Sequence, residues 1–188
     1  MKKLLALAGI LMLSFSYAQV SEFEKADVRY DRKIKALYTK YPKANDERTK
    51  REWHLTEERV ATYRNALEKI EEEQKKTIKD TPSPVMPKIS KEAAYEKGIA
   101  SFKKLFNETL ALSLANFASE PYKAVLSFVV DSKGNLYGAK VNNGKNEDIN
   151  LFILAAFYRI KDQGKWKPAE SNGQPVSSVV NFPVEFKP

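Results

Sequence analysis

Ala124-Val125-Leu126-Ser127-Phe128-Val129-Val130-Asp131-Ser132-Lys133-Gly134-Asn135 decides how the C-terminal half of this 188-residue chain folds. Ala124, Leu126, Phe128 and Val130 alternate with Lys123, Val125, Ser127 and Val129, the period of two that puts successive side chains on opposite faces of a strand. Asp131 to Asn135 then reads as a hairpin turn, in which Gly134 can take a positive φ without the clash of a Cβ. Tyr137, Ala139 and Val141 are expected to form the returning strand, which Asn142-Asn143-Gly144-Lys145 breaks.

Working outward, the period changes to that of a helix. Asn146 is placed to cap a helix whose first-turn acids, Glu147 and Asp148, suit the positive end of its dipole. Ile149, Phe152, Ile153, Ala156 and Ile160 form its apolar face, and Gly164 is expected to stop it. A Trp166-Lys167-Pro168-Ala169 loop and an Asn172-Gly173 turn lead to a last strand, with Val176, Val180, Phe182, Val184 and Phe186 on one face. On the N-terminal side, Ser90 is read as the cap of a helix with Ala93 and Ala94 in its first turns. Tyr95, Ile99, Phe102, Phe106 and Leu110 line one face of that helix, which is expected to end near Phe117. Helix, strand, strand, helix, strand predicts an α+β unit over 90–188: a small three-stranded sheet with two helices on one side.

Three prolines between Asp80 and Lys88 mark a semi-rigid linker, placed at 81–89. Residues 19–80 are heavily charged and nearly free of glycine and proline. Phe23, Tyr30, Ile34, Leu37 and Tyr41 give one helical stripe, and Trp53, Val60, Tyr63, Leu67 and Ile70 a second, with Pro42 between them. The expectation is an α-helical hairpin with a narrow seam like that of a coiled coil. It serves either as a spacer or as an oligomerisation element. His54, the only histidine, sits beside Trp53 on this charged helix and is read as a surface residue.

The chain begins with Lys2-Lys3, an apolar run from Leu4 to Phe15, and Ser16-Tyr17-Ala18. That is the layout of a signal peptide over 1–18, with Gln19 as the mature start and a periplasmic destination. The apolar run falls short of the roughly 20 residues that a spanning helix needs. The alternative is an uncleaved anchor in the inner membrane. With no cysteine there are no disulfides, thiolate metal sites or cysteine nucleophiles. The formal net charge of +8 is spread along the chain instead of gathered in a stripe, which argues against a nucleic-acid partner.

Several of these stretches carry a resemblance. Val125 to Asn135, Lys165-Trp166-Lys167-Pro168-Ala169, Asn172-Gly173-Gln174-Pro175-Val176 and Phe182-Pro183-Val184-Glu185-Phe186 are similar, in order and spacing, to TonB C-terminal domains. Gly98-Ile99-Ala100-Ser101-Phe102 resembles the helix before the family's first hairpin, so the similarity spans roughly residues 95–188. The chain departs from the family at three places: Asn116-Phe117-Ala118-Ser119 replaces a Tyr-Pro pair, no glycine opens the first strand, and apolar residues around Phe152-Ile153 replace a Leu-Asp pair.

The resemblance implies a protein-binding role in the cell envelope. In the family, a short segment of an outer-membrane transporter pairs beside the last strand, which serves transmembrane transport. The matching stretch here is Ser177-Ser178-Val179-Val180-Asn181-Phe182-Pro183-Val184-Glu185-Phe186, the candidate partner-binding edge. Pro183 has no N–H, which suits a strand open on one side. The other readings are that this edge is covered within the chain or by a second copy. A structural or assembly protein that oligomerises through its hairpin is the alternative function. No cofactor or metal is expected, and an enzyme is not: Gly-x-Ser-x-Gly and phosphate-loop patterns are missing, and Asp131 and Glu170 have no partner for acid–base work. Trp166 is read as a packing residue.

N-terminal sequencing of the protein released by osmotic shock is expected to begin at Gln19. Met1 intact in the membrane fraction would instead favour the anchored form.

Overall fold

The computed structural model describes residues 22–78, 88–114 and 120–186. The proposed signal at 1–18 and the three linker prolines lie outside the described residues. The described residues group into two compact units that divide between Ile70 and Glu71.

The first unit pairs helix α1, residues 22–40, with α2, Asp46–Ile78, antiparallel through its residues up to Ile70. Phe23, Tyr30, Ile34 and Leu37 of α1 are buried with Val60, Tyr63, Leu67 and Ile70 of α2. Phe23 meets Tyr63 edge to face at 5.1 Å between centroids. Trp53, expected in this seam, is 59% exposed. The reason is helical drift: seven residues fall short of two turns by about 20° in a straight helix, so the facing side near Trp53 passes to Thr56 and Arg59. Thr56 meets the Tyr30 hydroxyl at 3.3 Å. The buried Arg59 guanidinium pairs with Asp27 Oδ1 at 2.7 Å, and Tyr63 donates to that same oxygen at 2.5 Å. The seam is therefore part apolar and part ionic.

The second unit is the α+β fold. Strand β1 is Ala94–Tyr95, helix α3 Ile99–Leu114, β2 Tyr122–Val130, β3 Leu136–Asn142 and α4 Glu147–Ile160. The short strands β4 Trp166–Lys167, β5 Ala169–Ser171 and β6 Gln174–Val176 lead to β7, Ser178–Phe186. The main sheet is antiparallel in the order β3-β2-β7. As the alternation predicts, Ala124, Leu126, Phe128 and Val130 are buried. Both helices cover that face. Phe157 of α4 lies 4.8 Å from Phe128, and Phe102 and Phe106 of α3 lie 5.2 and 5.3 Å from Phe182.

Trp166 closes this core, edge-on to Phe102 at 5.2 Å and to Phe128 at 5.3 Å. Its backbone is equally tied. Gly134, at φ +86°, approaches so closely that a Cβ there would stand 2.2 Å from the Trp166 carbonyl oxygen. Asp131 organises the same turn: its Oδ1 accepts from the amides of Lys133 and Asn135, both at 2.8 Å.

Five local expectations are corrected. Ser90 to Tyr95 is not the first part of a helix. The Ser90 amide and hydroxyl donate to the Glu170 carbonyl, Lys91 bridges to Glu170, and β1 pairs with β4. The segment has a strand partner, so its helix propensity does not decide its form, and α3 begins only at Ile99, after Gly98 at φ +82°. Ile99, in the first turn, is consequently 55% exposed. Gly164 is not a left-handed stop: α4 ends on Lys161 in right-handed geometry, and Gly164 leaves room for the Tyr95 ring, whose Oη a Cβ would meet at 2.0 Å. Val176 belongs to β6, which pairs with β5 around Asn172-Gly173, and not to the last strand. The alternation Tyr137, Ala139, Val141 fails, because Leu136 and Ala139 are the buried residues of β3. A bulge at Gly138, φ +62°, shifts the register between them. The end of α3 near Phe117 falls outside the described residues. The cap at Asn146 stands, its Oδ1 accepting from the Ile149 amide at 3.0 Å.

Trp166→Ala is expected to cost about 3–5 kcal/mol in urea unfolding, as for other buried aromatics. Gly134→Ala should cost at least about 1–2 kcal/mol from its left-handed φ alone, and more where the Trp166 carbonyl cannot retreat. An alanine at either position that leaves the midpoint unchanged would show that this corner is not part of the core.

Candidate functional site: the two edges of the sheet

Three antiparallel strands leave two edges, and each edge carries backbone groups that must find partners. The two are built differently.

The β7 edge is straight. From Tyr122↔Phe186 to Val130↔Ser178 it pairs with β2 without a register shift. Among the described residues, no strand pairs with its other side. Pro183 stands opposite Val125. A proline has no N–H to give to a ladder, so its nitrogen belongs on the open side. Backbone groups alternate in direction along a strand, so the N–H groups of Val179, Asn181 and Glu185 share the direction of the Pro183 nitrogen. These four residues also carry the exposed side chains of the strand, Val179 being 49% exposed. Phe182 and Val184 are buried, Phe182 against α3, while Val180 and Phe186 are half-buried, and Ser178 is buried with its hydroxyl unpaired. Ser177 lies between β6 and β7.

The open face carries one polar rung across all three strands. Ser127 Oγ donates to Asn181 Oδ1 at 2.7 Å and accepts from Asn142 Nδ2 at 2.7 Å. Lys123 pairs with Glu185 further along. These cross-strand pairs hold the register of β7 on β2 from the solvent side.

The β3 edge is interrupted. Ser127↔Lys140 and Val129↔Tyr137 leave Phe128 facing both Gly138 and Ala139. The Gly138 amide donates to Gln74 Oε1 at 3.0 Å, and the Tyr158 hydroxyl lies 3.4 Å from the same oxygen. Tyr158, on α4, is almost wholly buried. Burial pushes its phenol up to about 12, with the contact to Gln74 opposing the rise and Glu71 adding to it. An isolated glycine inside a strand pattern is a sequence signal for a bulge, so Gly138 was findable. Gln74 was not, because nothing in a charged helix marks one glutamine among its neighbours.

The carboxylates noted in the sequence are committed to structure. Asp131 holds its turn, and Glu170 bridges to Lys91 Nζ at 2.7 Å. His54 is exposed, 3.6 Å from Glu57. Among the described residues no group of three or more His, Asp or Glu side chains is placed to hold a metal ion. No described helix is long and apolar enough to cross a membrane.

A straight open sheet edge is the feature on which strand addition acts. The family described as Gram-negative bacterial TonB protein C-terminal matches residues 123–188, from β2 to the end of the chain. Over those residues the chain is similar to the TonB C-terminal family, which is a protein-interaction domain of the Gram-negative envelope. The match begins after α3, so the helix similarity seen at Gly98–Phe102 lies outside it. No curated protein and no solved structure matches the chain.

The raised Tyr158 phenol gives a pH test. Its folded value exceeds the ordinary 10, so its contribution to stability is complete below pH 10 and is lost as pH rises towards 12. Urea unfolding across that window should fall more steeply for the parent than for Tyr158→Phe, by on the order of 2 kcal/mol. Parallel curves would mean that the phenol titrates as freely in the fold as out of it.

Proposed function

We propose that the chain is a periplasmic binding module of the TonB type that engages an envelope protein by strand addition at β7. The partner that the family implies is an outer-membrane transporter, whose extended segment would lie along Val179 to Glu185. The observation that carries this reading is the straight β7 edge, whose outward backbone groups have no strand beside them among the described residues. An added strand satisfies such groups directly, so affinity comes from the main chain and selectivity from alternate side chains. The rigid backing of β7 by Phe182, Phe106 and Phe102 supports it too, since a preformed edge costs little ordering on binding. The missing N–H of Pro183 leaves one acceptor of the incoming strand without a donor, which limits indiscriminate pairing.

The decisive variant is Val179→Pro. Val179 shares its backbone direction with Pro183, so proline there removes an outward N–H and no bond to β2. Unfolding and photo-crosslinking from position 181 in intact cells would be measured together. The expected outcome is a folded protein whose transporter adducts are lost, while Ser177→Lys keeps them. A folded Val179→Pro protein with undiminished adducts would overturn strand addition and favour assembly through the helical hairpin.

A further inference from the structure

The second edge of the sheet is as exposed by topology as the first, yet the Gly138 amide at its bulge already has an acceptor. Pro183, with no N–H to give, stands opposite Val125 and so marks the pairs in which β2 turns away from β7: Val125, Ser127 and Val129 turn their N–H groups to β3. Their partners Asn142, Lys140 and Tyr137 therefore turn inward, and the two residues of the bulge, Gly138 and Ala139, turn outward. The Gly138 amide goes to Gln74 Oε1 at 3.0 Å. The Tyr158 hydroxyl lies 3.4 Å from that same glutamine oxygen. One side-chain oxygen, from a residue 64 positions before Gly138, thus accepts from both the bulge amide and the buried phenol. Gln74 lies in the second unit but ahead of the residues that the family matches.

We propose that Gln74 closes the β3 edge against strand pairing, so that the sheet presents β7 alone. The bulge by itself twists an edge but leaves its extra N–H unpaired; the glutamine oxygen supplies the missing acceptor. With that oxygen removed, the half-buried Gly138 amide is left to water, and at high protein concentration the open edge of a second copy can replace that water. The meaning of this closure for partner choice rests on strand addition at β7, but the closure itself does not.

The test uses the full chain with Gln74→Ala and Gln74→Glu. Residue-resolved amide exchange at Gly138 should quicken about tenfold in Gln74→Ala, the factor expected for losing one ordinary hydrogen bond. Sedimentation over a wide concentration range should show self-association beyond that of the parent. Gln74→Glu keeps an accepting oxygen and should restore both properties. Unchanged exchange at Gly138, or faster exchange without added self-association, overturns the proposal. Neither readout uses a transporter or β7, so a failure here is distinguishable from a failure of Val179→Pro.

Discussion

In the main sheet β2 is the central strand, with partners on both sides, and the rest of the domain follows from what that pairing leaves undone. Its face of Ala124, Leu126, Phe128 and Val130 demands cover, which α3 and α4 provide through Phe102 and Phe157. Its two neighbours each inherit an open side. A helix can bury an apolar face, but it cannot satisfy a row of backbone groups pointing sideways out of a sheet. Edge chemistry therefore becomes the property that distinguishes one such domain from another.

Trp166 shows how the sheet and its turns are made to depend on one another. Its indole fills the space among Phe102, Phe128 and Tyr95, while its carbonyl presses on Gly134 and its strand pairs with β1. A loss at this residue would loosen the β2–β3 turn, the segment before α3 and the core together. Aromatic pairs of this kind add about 0.5–1.5 kcal/mol each beyond burial, and here several share one ring. Phe182 joins β7 to this cluster, so the edge that faces outward is backed by packed aromatic rings.

Much of this fold was legible because its signals are local and periodic. The strand of Ala124 to Val130, the turn at Gly134 and the cap at Asn146 each depend on neighbours within a few residues. The errors share a different cause. Ser90 to Tyr95 carries helix-favouring alanines, but it meets a strand partner more than 70 residues away, and tertiary pairing outweighs propensity. Trp53 was placed by a seven-residue spacing that a straight helix does not keep. Gly164 has the residue type of a helix stop, yet it is required by the ring of Tyr95.

The two edges carry this contrast into function. The openness of β7 could be suspected from a single residue, Pro183, because proline restricts what its strand can do whatever surrounds it. The closure of β3 could not, since it joins Gly138 and Tyr158 to Gln74 through contacts that span 64 and 84 positions. A glycine announces that the backbone will bend, but not which side chain will answer the group that bending exposes. That answering residue lies outside the matched family region. On the proposed closure, the number of edges this sheet offers is set by a residue that precedes the matched region.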